Sequence, residues 1–398
     1  MTTGPGTLAV WVANSRAGLL GRESSQRHVF AYDPSAPDAA QVSLTMPVRL
    51  ESWVSRELHP VFQMNLPEGA LLEAIRRAVA KLAGEDDLTI LRVTGGNQIG
   101  RNRFSPVGDE APNLPPSPES LQELLTYPDT TGLFHELMER YSLRSGISGV
   151  QPKVLLDATD RATLTTTGYI VKSWGSDYPQ LAANEFFCLS AAQRAGLPVP
   201  EFHLAENGGL FVMKRFDLVS EGVSLGFEDM CSLQGVGTSQ KYAGSYERVA
   251  RSIRDFVSAE YQLRAREQYF AMLLLSVVVR NGDAHLKNFG VLYDSARGAV
   301  RMAPVYDVVT TAAYIRKDVP ALSLAGTKKW WPRKTLEQFA VAHLSLSPGS
   351  IRQTFEQVTT AVTETRTGVI AYMREHPEFR ETGEVMLAEW EGGLSSVA

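Results

Sequence analysis

The sequence predicts an α+β fold in which strands dominate the first half of the chain and helices the second half. Two short apolar runs, residues 8–13 and 42–50, are separated by turn-forming residues, as strands usually are. A third run, residues 168–172, is typical of a buried strand and ends in a lysine. After residue 350, in contrast, apolar residues recur every three or four positions, which is the spacing of an amphipathic helix.

Composition places the chain among ordinary globular proteins and excludes several classes. Of its 398 residues, 44% are hydrophobic and 21% are charged, and this length is enough for two or three domains. The net charge of -5 gives no electrostatic case for direct binding of nucleic acid or of an anionic membrane. No secretory signal or membrane-spanning run is recognised, so a cytoplasmic location is expected. Cys188 and Cys231 are too few for a disulfide framework and are expected to be buried thiols.

Four segments are predicted along the chain. Residues 1–104 are expected to form an N-terminal α+β subdomain that contains an amphipathic helix from Leu71 onward. Residues 105–118 contain five prolines and are expected to form an exposed linker. Residues 119–240 are predicted to be a second unit that contains strands, and residues 241–398 a mainly helical unit.

The segment 281–288, which reads Asn-Gly-Asp-Ala-His-Leu-Lys-Asn, carries the strongest indication of chemistry. It follows an apolar run that is expected to be a buried helix. An aspartate that orients a hydroxyl, an asparagine five residues later and a further aspartate are what phosphoryl transfer from a magnesium nucleotide requires. Alone, Asp283 would be interpreted as a turn residue, but Asn288 and Asp307 favour catalysis. The sequence therefore predicts a kinase that uses ATP and Mg²⁺, with Asp283 catalytic and with Asn288 and Asp307 as metal ligands.

The loop 145–153 is the candidate phosphate-binding loop, although it lacks the ending of a Walker A motif. Its glycines permit close approach of the backbone to phosphates, and Ser148 and Lys153 add donors. Lys172 ends a strand, as the phosphate-binding lysine of kinases does; the alternative is an ordinary strand-end lysine. Glu185, in the next predicted helix, is a candidate partner for Lys172.

Two further residues of the segment 281–288 have more than one interpretation. A histidine in a loop usually holds the backbone through hydrogen bonds, and we expect this role for His285. Lys287 either reaches a phosphate group or points to solvent.

Seven ordered motifs make the chain similar to a known family, the HipA-type serine/threonine kinase toxins of bacterial type II toxin–antitoxin systems. The resemblance runs from about residue 143 to residue 307, and the segment before residue 104 is similar to the N-terminal subdomain of full-length members. The motifs are Ile147-Ser148-Gly149-Val150-Gln151-Pro152-Lys153, Ile170-Val171-Lys172, Asn184-Glu185-Phe186-Phe187-Cys188, Arg215-Phe216-Asp217, Glu228-Asp229-Met230-Cys231, Asp283-Ala284-His285-Leu286-Lys287-Asn288 and Pro304-Val305-Tyr306-Asp307.

The resemblance implies a two-lobed protein-kinase-like fold, with a β-rich N-lobe, an extra N-terminal subdomain and a mainly helical C-lobe. It implies that Asp283 is the active-site residue and that the segment Lys214 to Phe216 contacts adenine as the hinge. Members phosphorylate proteins, notably aminoacyl-tRNA synthetases, and many bind a helix-turn-helix antitoxin of the HipB type, through which they contact DNA indirectly. The implied MgATP-binding residues are Ser148, Gly149, Val150, Gln151, Lys153, Lys172, Lys214, Arg215, Phe216, His285, Lys287, Asn288, Tyr306 and Asp307.

The chain departs from the family pattern at two places. Lys214 stands where an acidic residue is frequent, but hinge contacts to adenine use backbone groups. Gly146 stands where the family carries an inhibitory autophosphorylated serine, and Ser145 and Ser148 flank it. We therefore predict autophosphorylation at Ser145 or Ser148. The added charge, close to two negative charges, would expel the loop from incoming triphosphate.

Two other functions stay open at this point. A small-molecule kinase would share the Asp-x-x-x-x-Asn loop, but the loop 145–153 and the N-terminal subdomain argue against it. A non-catalytic co-repressor that only binds an antitoxin is the second alternative. The presence of Asp283, Asn288, Asp307 and Lys172 argues against lost catalysis.

Overall fold

The computed structural model describes residues 6–24, 27–79, 86–112, 119–160, 165–220 and 223–398. The chain divides into two compact units, each made of several segments. The first unit comprises Met1–Ser173, Val212–Thr238 and Leu292–Val300, and the second comprises Trp174–Phe211, Ser239–Val291 and Arg301–Ala398. The four predicted segments stay a prediction, and residues 113–118 of the predicted linker lie outside the described residues.

The helices and strands have the following bounds. In chain order, the strands are β1 (Leu8–Val12), β2 (Ser15–Ser24), β3 (Arg27–Tyr32), β4 (Trp53–Ser55), β5 (Asn102–Pro106), β6 (Glu119–Ser120), β7 (Lys153–Asp160), β8 (Thr165–Lys172), β9 (Phe202–Leu204), β10 (Phe211–Lys214), β11 (Leu218–Ser220), β12 (Val223–Ser224), β13 (Gly226–Asp229), β14 (Gly290–Tyr293) and β15 (Val300–Met302). The helices are α1 (Pro60–Gln63), α2 (Gly69–Val79), α3 (Asp87–Thr94), α4 (Leu121–Thr126), α5 (Thr130–Tyr141), α6 (Leu181–Arg194), α7 (Met230–Leu233), α8 (Tyr246–Phe256), α9 (Gln262–Val278), α10 (Arg333–Leu344), α11 (Pro348–Glu375) and α12 (Arg380–Val397).

The first unit begins with an antiparallel sheet in the order β4-β3-β2-β1-β5. Alternate residues of its strands, such as Leu8, Val10 and Val12 on β1, lie in one apolar core. β1 confirms the strand predicted over residues 8–13. The helix α2 confirms the amphipathic helix predicted from Leu71 onward, with Leu71 buried.

The strand predicted over residues 42–50 is wrong. This segment contains only an isolated bridge between Ser43 and Met46. Its backbone is hydrogen-bonded to the Tyr32 side chain instead of to another strand. The Tyr32 hydroxyl accepts from the Val42 amide at 3.0 Å and donates to the Met46 carbonyl at 2.5 Å. Val42 and Met46 are buried in the core of the first sheet. The apolar residues that suggested a strand therefore fill the core from a loop.

A second sheet of the first unit runs in the order β6-β7-β8-β10. β7 and β8 form an antiparallel hairpin whose register pairs Lys153, the first residue of β7, with Lys172, the last residue of β8. Both lysines are buried at the same end of this hairpin, next to the loop that precedes β7. The strand predicted over residues 168–172 is confirmed as the end of β8.

The helix α9 lies at the centre of the second unit, where it contacts α8, α10, α11 and α12. Its C-terminal half is apolar and buried, which confirms the buried helix predicted before the segment 281–288. The long helix α11 packs against α6, α9 and α12. Ile351, Phe355, Val358 and Val362 are buried on α11, as their spacing predicts.

Within the described ranges, no helix combines the length and the apolarity that a membrane crossing needs.

Cys188 and Cys231 are buried free thiols, as predicted. Burial raises the pKa of the Cys188 thiol to about 12, so this thiol stays protonated at neutral pH.

Candidate active site

The segment 281–288, here called the catalytic loop, is positioned by the buried helix that precedes it. The helix α9 ends at Val278, and Arg280 adopts a left-handed conformation with φ 55° that turns the chain out of the helix. Although the loop is polar, Asn281, His285 and Asn288 are buried. Most buried polar groups have hydrogen-bond partners, and the partners of Asn281 and Asn288 bind the loop to its surroundings.

The backbone at Gly282 is held by two side chains that come later in the sequence. The Gly282 amide donates to Thr311 Oγ1 at 2.6 Å, and the Thr311 hydroxyl in turn donates to the Asp318 carboxylate. A Cβ atom at position 282 would lie 2.0 Å from Asp318 Oδ2. A larger residue at this position, directly before the candidate catalytic residue, would therefore displace the Asp318 side chain or the loop.

The Asp283 side chain is 40% exposed, unlike its neighbours in the catalytic loop. Its Oδ1 atom accepts a hydrogen bond from the Tyr242 hydroxyl at 2.7 Å and lies 3.9 Å from His285 Nε2. Burial lowers the pKa of His285 to about 4, so this ring is neutral at pH 7 and the contact is not an ion pair. Asp283 thus presents a partly exposed carboxylate that accepts a hydrogen bond from a phenol, and this exposure is compatible with a hydroxyl-orienting group.

Asn288 joins the two predicted aspartates. Its Nδ2 atom donates to the Asp283 carbonyl at 2.9 Å and to the Asp307 carbonyl at 3.4 Å. The Tyr306 hydroxyl donates to the Lys287 carbonyl at 2.9 Å, which fixes the segment of Asp307 against the same loop. Asp307 itself has φ 58°, a left-handed conformation that is uncommon outside glycine and that clusters at functional sites. The structure therefore brings these five predicted residues together.

The donor atoms around Asn288 fit a magnesium ion. The amide nitrogen of Asn288 faces two carbonyls, so the amide oxygen on the opposite side is the atom that would ligate a cation. Magnesium prefers oxygen ligands and is commonly held by one or two protein side chains together with phosphate oxygens and water. The described part of the chain contains no group of three or more His, Cys, Asp or Glu side chains placed to hold a metal ion.

His285 offers a further polar atom to a ligand. Within the described residues, its buried Nδ1 atom has no hydrogen-bond partner. Its ring packs edge-on against Tyr242, with 5.0 Å between the ring centroids. The ring is thus held in place while one nitrogen remains available, which fits the ATP contact that the resemblance implies for His285.

The loop 145–153, here called the phosphate loop, belongs to the first unit. Lys153 Nζ donates to the Ser148 carbonyl at 3.3 Å, and Gln151 Nε2 donates to the Ser173 carbonyl at 3.1 Å. Gly149 has φ 122°, and a Cβ atom there would lie 2.3 Å from Lys153 Nζ. The loop therefore curls around a lysine, while Val150 is exposed at its tip.

The two predicted autophosphorylation serines have different environments. Ser145 is fully buried; its hydroxyl donates to the Tyr141 carbonyl and accepts from the Leu155 amide, each at 2.8 Å. Ser148 is half-buried, and its hydroxyl donates to the carboxylate of Glu68, directly before α2. The Ser148 hydroxyl is therefore the more accessible of the two.

Gly146 lies where a side chain has no room. Its amide donates to the Asn97 carbonyl at 2.8 Å, and a Cβ atom would lie 2.5 Å from Gln98 Cγ. A serine at this position would therefore collide with residues 97–98 unless these residues moved.

Lys172 and Glu185 are both buried, Lys172 at the end of β8 and Glu185 on α6. They belong to different units of the chain. Their pairing stays a prediction.

The predicted hinge residues have a structural role in the first unit. The Arg215 guanidinium binds both oxygens of Asp217, at 3.0 and 2.6 Å, and also binds Asn97 Oδ1 at 2.6 Å and the Gln98 carbonyl at 2.7 Å. The Phe216 ring packs edge-on against Phe227. The Arg215 side chain is thus committed to the protein, so adenine contacts would have to use the backbone of this segment.

Sequence reasoning missed four residues that hold these loops: Tyr242, Thr311 and Asp318 at the catalytic loop, and Glu68 at the phosphate loop. Tyr242 and Asp283 are 41 positions apart in the sequence. Gly282 and Thr311 are 29 positions apart, and Glu68 and Ser148 are 80 positions apart. No local motif marks such contacts. The one available signal was the glycine of the Asn-Gly-Asp motif, which indicates a close approach without identifying the neighbour.

Two family models match the chain. The model described as the HipA-like C-terminal domain matches residues 145–366, and the model described as the HipA N-terminal domain matches residues 8–105. The first match covers both the phosphate loop and the catalytic loop.

Relatives among known proteins carry kinase names. The chain is 28% identical over 314 residues to "Putative kinase Y4dM" of Sinorhizobium fredii (strain NBRC 101917 / NGR234), covering 72% of this chain and 70% of the relative. It is 29% identical over 327 residues to "Putative kinase Y4mE" of the same strain, covering 74% of this chain and 76% of the relative.

A solved structure has a similar fold. HipA of Shewanella oneidensis MR-1, in a complex with HipB and its operator DNA, superimposes with a TM-score of 0.67 at 18% identity. The match covers 98% of this chain and 97% of that chain. The predicted α+β, protein-kinase-like fold is thereby confirmed.

Proposed function

This chain belongs to the HipA family of kinase toxins, and we propose that it is an ATP- and Mg²⁺-dependent protein serine/threonine kinase acting as the toxin of a toxin–antitoxin pair. The observation that carries the proposal is the Asn288 side chain, which binds the backbones of both Asp283 and Asp307. Because Asn288 binds both backbones, the three residues lie close together, which supports their proposed roles as base and metal ligands. Such clustering is what phosphoryl transfer needs, because little covalent chemistry is left to the protein.

In the proposed reaction, the Asp283 carboxylate orients the acceptor hydroxyl and accepts its proton. A bond forms between the hydroxyl oxygen and the γ-phosphorus of ATP, and the bond from that phosphorus to the leaving ADP oxygen breaks. Asn288 and Asp307 are the proposed ligands of Mg²⁺, which neutralises charge on the phosphates when bound. Because Asp283 is partly exposed while the loop around it is buried, a protein side chain can reach it and the geometry stays fixed.

The remaining residues are proposed to bind the nucleotide. Lys153 and Lys172, paired at one end of the β7–β8 hairpin, supply positive charge for phosphates, and the glycine-containing phosphate loop supplies backbone donors. Lys214, Arg215 and Phe216 are proposed to contact adenine through their backbone. His285 is proposed to use its buried Nδ1 atom, and Lys287 and Tyr306 complete the set.

We place autophosphorylation at Ser148. This serine is half-buried and already bonded to a carboxylate, that of Glu68, whereas the Ser145 hydroxyl is buried between two backbone groups. A phosphate on Ser148 would carry close to two negative charges beside Glu68 and would repel it. This repulsion gives a physical route by which modification would displace the phosphate loop.

The proposed partners follow from the family. The similar Shewanella HipA was solved with HipB and operator DNA, which supports a HipB-like antitoxin as the partner of this chain, with DNA contacted indirectly. An aminoacyl-tRNA synthetase is the proposed class of protein substrate, and the proposed location is the cytoplasm.

A transfer assay with a matched control tests the proposal. Asp283→Asn keeps the size of the side chain but removes the base, so phosphate transfer from labelled MgATP to protein is expected to fall by about 100-fold or more. The control is Asp255→Asn, the same change at an exposed aspartate on α8 that binds only Arg254 among the described contacts. Its activity is expected to stay within about twofold of the wild type.

The same variants separate the alternatives in cells. Growth arrest on expression should disappear with Asp283→Asn and persist with Asp255→Asn. Arrest that persists in Asp283→Asn points to a non-catalytic co-repressor. Transfer to small hydroxyl compounds, without transfer to any protein, points to a small-molecule kinase. Either result contradicts the proposed function.

A further inference from the structure

Tyr242 belongs to none of the motifs discussed above, yet its hydroxyl donates to Asp283 Oδ1 at 2.7 Å. We infer that Tyr242 is a positioning residue for the phosphoryl transfer: it fixes the rotation of the Asp283 carboxylate and thereby sets which oxygen meets the acceptor hydroxyl. This inference rests on the proposed function, because it assigns a role in that same reaction. Its physical basis is that the terminal torsion of an aspartate is broad unless a hydrogen bond restricts it.

Tyr242 is itself held firmly against the catalytic loop. The Leu286 amide donates to the Lys241 carbonyl at 3.1 Å, and Lys328 Nζ donates to the Tyr242 carbonyl at 3.2 Å. The Tyr242 ring also stands edge-on to the His285 ring, at an interplanar angle of 76°. The backbone and the ring of Tyr242 are thus both in contact with the protein, with the hydroxyl at Asp283, although 45% of Tyr242 is exposed.

A second tyrosine provides an internal comparison. Tyr246, at the start of α8, donates its hydroxyl to the Ala284 carbonyl at 3.1 Å and is fully buried. Two tyrosine hydroxyls thus bind adjacent residues of one loop. The Tyr246 hydroxyl binds the backbone and supports the loop, whereas the Tyr242 hydroxyl binds the candidate catalytic carboxylate. Of the two tyrosines, Tyr242 is therefore the one that contacts the reacting group.

The predicted consequence is a loss of turnover without a loss of nucleotide binding. Tyr242→Phe keeps the ring against His285 and removes only the hydroxyl. Because a small displacement of a catalytic group can cost about 100-fold in rate, kcat for phosphate transfer is expected to fall by about 10- to 100-fold. KM for ATP and the melting temperature are expected to stay close to the wild type. Tyr127→Phe is the matched control, because this tyrosine, directly after α4, is 43% exposed and lies outside the catalytic loop. Its kcat and melting temperature are expected to stay close to the wild type.

Three kinetic outcomes would overturn the inference. An unchanged kcat in Tyr242→Phe means that the hydroxyl does not position the carboxylate. A raised kcat means that the phenol blocks the acceptor instead. A lowered kcat together with a raised KM for ATP and a lowered melting temperature indicates a general structural role.

A crystal structure of Tyr242→Phe tests the geometry without any activity. The Asp283 carboxylate is expected to change its side-chain torsion or to spread over more than one conformation. An Asp283 carboxylate that superimposes on that of the wild type contradicts the inference. If the wild-type protein transfers no phosphate, the proposed function fails, and this structural comparison still decides whether Tyr242 orients Asp283.

Discussion

The catalytic loop and the phosphate loop are both polar, but they are held in different ways. In the catalytic loop, Gly282 is bound by Thr311, Asp283 by Tyr242, and Ala284 by Tyr246. In the phosphate loop, the Ser148 side chain binds Glu68 and its carbonyl accepts from Lys153, but Ser148 is only half-buried and Val150 is exposed. The difference suggests a division of roles, with rigid geometry for the group that orients the reaction and an accessible segment for binding and regulation.

The strongest test of the rigid loop is Gly282→Ala. The added methyl group would collide with the Asp318 carboxylate, at 2.0 Å, so either the Asp318 side chain, which also binds Thr311, or the backbone before Asp283 has to move. Phosphate transfer is expected to fall by about 100-fold or more, with a loss of about 1–3 kcal/mol in the free energy of unfolding. Gly175→Ala is the matched control, since a Cβ atom there meets nothing within 4 Å. Equal activity in the two variants would show that the catalytic loop tolerates displacement.

The buried histidine of the catalytic loop predicts a dependence of stability on pH. Because burial lowers the pKa of His285 from 6.5 to about 4, the unfolded chain binds this proton more readily than the folded protein. The contribution to stability is therefore complete above pH 6.5 and is lost as the pH falls toward 4. Between pH 7 and pH 5 the loss amounts to about 2 kcal/mol.

The variant His285→Gln tests this dependence, because it removes the titrating group. Urea unfolding at pH 7 and pH 5 should show a smaller loss of stability for His285→Gln than for the wild type. His343→Gln, an exposed change on α10, should keep the wild-type loss. The same loss in all three proteins would mean that other groups cause the pH dependence.

The two serines of the phosphate loop are expected to differ in their contribution to stability. Ser145→Ala leaves the buried Leu155 amide without its acceptor and is expected to cost about 1–3 kcal/mol of stability. Ser148→Ala removes a half-buried hydroxyl together with its hydrogen bond to Glu68, and the expected cost is smaller, about 0.5–1.5 kcal/mol.

Mass spectrometry after incubation with MgATP shows which of the two serines is autophosphorylated. Phosphate should appear on Ser148 in the wild type and in Ser145→Ala, and it should be absent from Ser148→Ala. Phosphate on Ser145 would contradict the proposed assignment and would require the loop to open.

Much of the fold follows from local patterns in the sequence. The helices α9 and α11 and the strands β1 and β8 lie where the apolar spacing predicts them. The segment 42–50 shows the limit of this approach, since its apolar residues fill a core from a loop that Tyr32 holds. Apolar spacing reports burial, but it does not report whether a backbone pairs with another strand or with a side chain.

Residue types at short spacings were enough to predict the fold class, to select Asp283, Asn288 and Asp307 as candidates, and to reveal the resemblance to HipA-type proteins. The contacts of Tyr242, Thr311 and Asp318 with the catalytic loop, and the greater accessibility of Ser148 than of Ser145, became visible in the folded chain. The physical reason is that a hydrogen bond depends on distance and direction in space. Residues 29 to 80 positions apart leave no local pattern that records such a contact.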